Sequence, residues 1–106
     1  MTPEAKVKAR VKSILNGVGA YHFSPATGGY GRSGVPDIVV CYEGKFIGIE
    51  CKAGNNVPTA LQYRNLAEIE HSGGIAFIVN EDNINQFERI LNEHSKKNKT
   101  LSPTGE

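Results

Sequence analysis

Apolar residues recur along the chain at two spacings, and these spacings predict which segments are helices and which are strands. Apolar positions three and four residues apart indicate helices over residues 3–16, 60–72 and 82–95. Short runs rich in β-branched residues indicate strands over residues 20–25, 38–42, 45–52 and 75–79, the last of them apolar throughout and therefore expected to be fully buried. The predicted order of elements is α-β-β-β-α-β-α.

The order of the strands predicts how they pair. A strand, a helix and a strand in succession form a parallel crossover. The two strands before that helix are separated by Glu43-Gly44, which is a signal for an antiparallel hairpin. We therefore expect a mixed sheet with helices on its faces.

Residues that cap helices stand at the ends of the predicted helices. Thr2 and Pro3 suit the start of the first helix, and Gly17 suits its end. Thr59 and Gln62 match a capping box at the start of the second helix.

Length and composition indicate one globular domain. The chain has 106 residues, of which 39% are hydrophobic and 22% are charged. We expect the domain to span residues 1–98 and a disordered tail to span residues 99–106. Apolar runs fall short of the roughly 20 residues of a membrane span, and the first residues do not read as a secretory signal. A cytoplasmic protein with no membrane contact is the expectation.

The cysteines and the charges exclude few functions. Cys41 and Cys51 are too few for a disulfide framework or a four-cysteine zinc site, and we expect two reduced, buried thiols. The net charge of +1 does not point to a polyanionic partner. Basic residues crowd the first helix, where a solvated face and phosphate contacts explain them equally well: Lys6, Lys8, Arg10 and Lys12.

Two carboxylates and one ammonium converge at one end of the predicted hairpin. A turn centred on Glu43-Gly44 places Asp37 opposite Glu50, with Cβ atoms about 4.5–5.5 Å apart. Lys52 lies on the same face as Glu50 because side chains alternate along a strand. Opposed like charges destabilise a sheet, so something must offset them. Lys52 can do part of this, and Mg²⁺, which prefers carboxylate oxygens and water, can do the rest.

Two interpretations of this cluster follow from the residues alone. In one, Asp37, Glu50 and the backbone carbonyl of Cys51 hold a metal ion with open coordination positions. In the other, the cluster is an exposed, charged sheet end that binds nothing. The in-register position of Pro36-Asp37 favours the metal site.

Three segments of the chain resemble the VRR-NUC branch of the PD-(D/E)XK nuclease superfamily, including its small stand-alone phage and bacterial members. They are Gly31-Arg-Ser-Gly-Val-Pro-Asp-Ile38, Gly48-Ile-Glu-Cys-Lys52 and Thr59-Ala-Leu-Gln62. The resemblance implies an α/β fold with a restriction-endonuclease-like αβββαβ core, to which this chain adds a C-terminal helix. Cys51 stands where the branch usually has Val or another small apolar residue. Leu66 stands where related exonucleases have Tyr, which argues against that activity.

The resemblance implies a metal-dependent DNA endonuclease and gives individual residues a role. Asp37 and Glu50 would hold Mg²⁺ or Mn²⁺, and Glu4 would join them directly or through water. The metal would polarise the scissile phosphate and lower the pKa of an attacking water. Lys52 would orient or deprotonate that water. Gln62 would hydrogen-bond Lys52 or a water molecule on the metal.

Several of these residues also have a local explanation. An acidic residue such as Glu4 is favoured in a first helical turn by the helix dipole, and the capping box accounts for Gln62. The glycine-rich loop before the site carries Tyr30, Arg32 and Ser33. Arg32 can grip a phosphate bidentately, and the alternative is a surface loop without function.

The alternative function is a nuclease-like module that binds DNA or a partner without catalysis. Such a module would be expected to lose one of Asp37, Glu50 and Lys52, and all three are present. A thiol enzyme built on Cys51 is disfavoured because that side chain points to the opposite face of the sheet. The resemblance further implies branched DNA, such as a Holliday junction, as substrate and a homodimer as the assembly.

Overall fold

The computed structural model describes residues 1–26 and 31–101, with side chains described as far as His94. The elements follow the predicted order: α1 (Pro3–Val18), β1 (Tyr21–Phe23), β2 (Ile38–Tyr42), β3 (Lys45–Cys51), α2 (Ala60–His71), β4 (Ile75–Val79) and α3 (Ile84–Leu101). The chain is thus a small α/β domain with three helices in its described part. Of the tail expected at 99–106, residues 102–106 lie outside the described part.

The four strands form one mixed sheet in the order β1-β2-β3-β4. β1 and β3 both pair with β2 in the antiparallel sense, and β4 pairs with β3 in the parallel sense. The predicted hairpin register is confirmed, with Tyr42 opposite Lys45 and Ile38 opposite Ile49. Glu43 and Gly44 have φ values of 52° and 79°, and two consecutive positive values are what a type I′ hairpin turn requires.

The hydrophobic core lies between one face of the sheet and the pair of helices α1 and α3. Alternate residues of β2 and β3 point into it, since side chains alternate across a strand. The largest fully buried apolar side chains come from α1 and from β2, β3 and β4: Val11, Leu15, Ile38, Val40, Ile49 and Val79. Burial of this apolar set supplies most of the driving force for folding.

The described helices lack the combination of length and apolar character that crossing a membrane requires.

Helix caps follow the sequence signals with one exception. The Thr2 hydroxyl accepts a hydrogen bond from the Ala5 N–H, and the capping box of Thr59 and Gln62 is present. Gly17, predicted to end α1, instead lies inside the helix. Gly19 ends it in the left-handed conformation, with φ of 76°. A helix tolerates an internal glycine at a cost of about 1 kcal/mol.

Two predictions about burial are wrong, because neighbouring elements do not cover every part of the sheet. β4 was expected to be fully buried, but only Val79 is, because β4 forms an edge of the sheet. Cys41 is exposed, whereas Cys51 is buried as predicted. Cys41 points away from the core, to the face where α2 packs mainly over β3 and β4.

Helix α2 and Pro36 both pack closely on the sheet at Gly48. A Cβ atom at this position would lie 2.5 Å from Cδ1 of Ile69 and 2.9 Å from Cγ of Pro36. We expect Gly48→Ala to destabilise the fold by about 1–3 kcal/mol through overpacking, measured as a lower midpoint in urea denaturation.

Gly17→Ala is the matched control, because a Cβ there would meet no atom within 4 Å. It should stabilise α1 by about 0.5–1 kcal/mol. A Gly48→Ala midpoint equal to that of the unmodified protein would contradict the close packing.

Candidate functional site

The charged cluster predicted at the hairpin end is present, and Glu50 is its most buried member. The Glu50 side chain is 1% exposed, and the Lys52 Nζ lies 3.5 Å from Glu50 Oε2. The backbone N–H of Lys52 donates to the carbonyl of Val79, at 3.0 Å. This backbone hydrogen bond joins the chain just after β3 to the end of β4, and it helps to position the Lys52 ammonium beside the Glu50 carboxylate.

Asp37 lies immediately before β2 and is held from the neighbouring strand. Its Oδ2 accepts a hydrogen bond from the backbone N–H of Cys51, at 2.9 Å. Its Oδ1 lies 3.8 Å from the Nζ of Lys8 on α1. The contact with Cys51 connects the Asp37 carboxylate to the residue next to Glu50, as the predicted register requires.

The surroundings of Glu50 disfavour the charged form of its carboxylate. Burial, followed by the negative charge of Asp37, raises its pKa from the ordinary 4.5 to about 7, although Lys52 opposes the rise. Glu50 Oε1 is buried and has no hydrogen-bond partner among the described residues. An unpartnered buried carboxylate oxygen carries a desolvation cost, which a cation or a proton would relieve.

Asp37 and Glu50 are the two carboxylates of the site that could together hold a metal ion. Within the side chains that the structure describes, no group of three His, Cys, Asp or Glu is placed to hold a metal. Glu4 contributes a negative charge that further raises the pKa of Glu50. Its predicted contact with the metal, directly or through water, and a ligand role for the Cys51 carbonyl stay predictions.

Gln62 is engaged in the capping box of α2. Its side-chain oxygen accepts from the Thr59 N–H at 2.8 Å, and its own N–H donates to the Thr59 hydroxyl at 3.2 Å. The structure thus supports the local explanation of Gln62. Its predicted hydrogen bond to Lys52 or to a water molecule on the metal stays a prediction.

Two of the loop residues expected to meet phosphate, Arg32 and Ser33, contact α2. Arg32 forms an ion pair with Glu68, which also lowers the pKa of that carboxyl group. The Ser33 carbonyl accepts from the Asn65 side chain at 3.3 Å. Tyr30 lies outside the described residues. In this arrangement Arg32 would have to exchange Glu68 for a phosphate.

Gly34 explains why the loop can approach α2 so closely. Its φ is 76°, and a Cβ there would lie 2.6 Å from Cγ of Leu61 and 2.9 Å from Nδ2 of Asn65. Glycine alone suits both the left-handed backbone and the short distance. The contact fixes the chain three residues before Asp37.

Sequence reasoning assigned no role to two residues that contact this region, Asn65 and Glu68. Lys8 also contacts it, and from the sequence it was only one of four basic residues that a solvated face and phosphate contacts explain equally well. Lys8 had a signal that could have been used, since residues four apart on a helix share a face, and Glu4 was already a candidate. Asn65 is a buried polar residue adjoining Leu66. The partner of Glu68 depends on the path of a loop, which short-range patterns do not reveal.

A mostly apolar groove of about 630 Å³ opens beside the site, on the sheet face that α2 covers in part. Its walls include Phe23, Val39 and Phe46, and Arg32 and Glu68 also line it. Asp37, Glu50 and Lys52 are not among its lining residues. The groove and the charged cluster are therefore neighbouring but separate features.

Comparison of the chain with models of known protein families gives no match, and a search of curated proteins finds none with significant similarity.

The raised pKa of Glu50 predicts how stability depends on pH in the absence of divalent cations. Between pH 4.5 and about 7 the folded protein keeps a proton that the unfolded chain has lost. This contribution to stability therefore decreases as pH rises through that window, by about 3 kcal/mol in total. Glu50→Gln should lack the decrease, and urea denaturation in EDTA at several pH values measures the difference.

Glu43→Gln is the control for this measurement, because Glu43 is exposed at the other end of the hairpin. It should follow the pH profile of the unmodified protein. Parallel profiles for Glu50→Gln and the unmodified protein would show that Glu50 titrates normally.

Proposed function

We propose that this protein is a metal-dependent DNA endonuclease with a PD-(D/E)XK-type site, similar to the VRR-NUC nucleases. The observation that supports this most directly is the convergence of Asp37, Glu50 and Lys52 at one end of the β2–β3 hairpin. The helix–three strands–helix–strand order is compatible with the nuclease core that the sequence resembles. Lys52 pairs with Glu50, whose side chain is almost inaccessible to solvent. Charged residues on an ordinary solvated surface are not buried in this way.

The donor atoms at the site suit Mg²⁺ or Mn²⁺. Glu50 Oε1 is buried without a partner, and the Asp37 carboxylate lies close enough to raise the pKa of Glu50. Carboxylate oxygens are the ligands that such hard cations prefer, usually one or two together with water. A cation shared by Asp37 and Glu50 would relieve both their repulsion and the unpartnered oxygen.

A divalent cation, when bound, would polarise the scissile phosphodiester and lower the pKa of the attacking water. The protein's own residues then have separate tasks. Glu50 must be ionised, so its proton must leave at neutral pH. Asp37 is kept in place by the Cys51 N–H. Lys52 is positioned to orient the water and to stabilise negative charge as it develops on the phosphate.

We predict that Asp37→Asn, Glu50→Gln and Lys52→Met each reduce DNA cleavage by at least about 100-fold, the scale of losing a general acid–base or charge-stabilising group. Gel assays on a four-way junction, a flap and a plain duplex, with and without Mg²⁺, measure this. Glu43→Gln should cleave normally.

Two further observations would contradict the assignment. The first is cleavage by both carboxylate variants at ordinary Mg²⁺ concentrations. The second is equally fast cleavage in EDTA. Ca²⁺ should support DNA binding without cleavage, because its longer and looser coordination, about 2.3–2.6 Å, positions water poorly. Metal-dependent DNA binding without any cleavage would instead favour the non-catalytic module.

The exposed apolar residues near β1 support a homodimer, the assembly that the resemblance implies together with branched DNA as substrate. Tyr21 is 70% exposed, and Phe23 and Phe46 are each 49% exposed. Phe23 and Phe46 also line the groove. β1 is an edge strand, which leaves one row of backbone groups available for pairing. A two-fold dimer would supply the two active sites that symmetric cleavage of a junction needs.

We expect a dimer by light scattering at micromolar concentration, and paired nicks on opposite strands of an end-labelled four-way junction. Phe23→Ser should shift the protein toward the monomer, since it removes apolar area from the edge. Val57→Ser is the control, because it removes an exposed apolar side chain that lies outside strands β1, β2 and β3. A monomer that nicks one strand would contradict the assembly while leaving the nuclease proposal intact.

A further inference from the structure

Lys8 is a second ammonium at the carboxylate pair, and the resemblance gives it no role. It lies on α1, one turn after Glu4, with its Nζ 3.8 Å from Asp37 Oδ1. The side chains of Lys8 and Asp37 are 35% and 21% exposed, respectively. This ion pair therefore lies at the solvent side of the site. Pairs with this much exposure contribute little to stability, so stability is a weak reason for a lysine here.

The charges at the hairpin end form two ion pairs, Lys52 with Glu50 and Lys8 with Asp37. A divalent cation shared by the two carboxylates would lie close to the Lys8 ammonium. Because both are positively charged, the ammonium and the cation would repel each other. Lys8 has a flexible four-carbon stem and an open side toward solvent. Lys52 is only 13% exposed and is enclosed beside Glu50. Lys8 is therefore the lysine that is free to move.

A lysine displaced from Asp37 would still have Glu4 nearby, one turn before it on the same face of α1. In the proposed site Glu4 would join the metal, so a phosphate of the substrate is the remaining counter-charge. The face of α1 beside Lys8 forms an open hollow with Thr2, Glu4 and Lys12. Asp37 is the more exposed of the two carboxylates, at 21% against 1% for Glu50, and it is the one that Lys8 contacts. A DNA phosphate that reaches the pair from solvent would therefore come close to Lys8. An ammonium is a compact point charge that suits a phosphate contact.

We propose that Lys8 neutralises Asp37 in the metal-free protein and moves to a DNA phosphate when the metal binds. This inference rests on the proposed function and extends it to the order of binding. Lys8 should then lower the affinity for the metal and raise the affinity for DNA, since its positive charge repels the cation and attracts a phosphate. A residue in an ordinary surface ion pair would have neither effect.

Lys8→Met tests both effects, because methionine keeps the length and helix propensity of lysine without its charge. Lys6→Met is the matched control. It removes the same charge two residues earlier, about 200° around the helix, at an exposed position. Lys8→Arg keeps the charge and should retain the unmodified behaviour in every assay. Circular dichroism without metal verifies that each variant is folded.

The first measurement is Mn²⁺ binding by calorimetry in the absence of DNA. We expect Lys8→Met to bind Mn²⁺ roughly three- to tenfold more tightly than the unmodified protein, the scale of one partly screened charge. Lys6→Met should bind it with unchanged affinity. Equal Mn²⁺ affinity for Lys8→Met and the unmodified protein would overturn the inference.

The second measurement is binding to a DNA junction in Ca²⁺ at several salt concentrations. Lys8→Met should bind more weakly, and the slope of log K against log[salt] should become shallower by about 0.9, the value for one lost phosphate contact. An unchanged affinity and slope would also overturn the inference.

Failure of the proposed function would have a different signature. A protein that cleaves no DNA, or an Asp37→Asn variant that cleaves normally, would remove the nuclease assignment. The Mn²⁺ measurement would still decide whether Lys8 competes with a cation for Asp37.

Discussion

The register of the β2–β3 hairpin is the constraint on which the candidate site depends. The turn at Glu43 and Gly44 has two consecutive left-handed residues, and it sets which residues face each other along both strands. Asp37 and Glu50 share a face only in this register. A slip of one residue would move one carboxylate to the other side of the sheet. The turn at one end of the hairpin therefore determines which residues meet at the other end, where the charged cluster lies.

Burial of Glu50 works against stability, and the rest of the domain must compensate. Its carboxylate is desolvated, lies near Asp37 and leaves one oxygen without a partner. Lys52 offsets part of this cost, and the apolar core between the sheet and helices α1 and α3 supplies the larger favourable contribution. Perturbed pKa values of this kind concentrate at functional sites, which is why the strain is informative.

Helix α2 connects the site to the loop that precedes it. Three successive loop residues contact this helix: Arg32 pairs with Glu68, the Ser33 carbonyl accepts from Asn65, and Gly34 packs against Leu61. The chain then reaches Asp37 within three residues. The position of the Asp37 carboxylate thus depends on packing by α2 as well as on its hydrogen bond to the Cys51 N–H.

The sequence by itself determined the order of elements, most helix caps and the hairpin register, because each depends on residues that are close along the chain. It also placed Asp37, Glu50 and Lys52 together, since alternation along a strand is a local rule. Tertiary structure decided the exposure of Cys41, which depends on where α2 covers the sheet. It likewise decided that Lys8 faces Asp37 and that Arg32 meets Glu68. These contacts join residues distant in sequence, and they depend on how helices pack on the sheet, which periodicity does not specify.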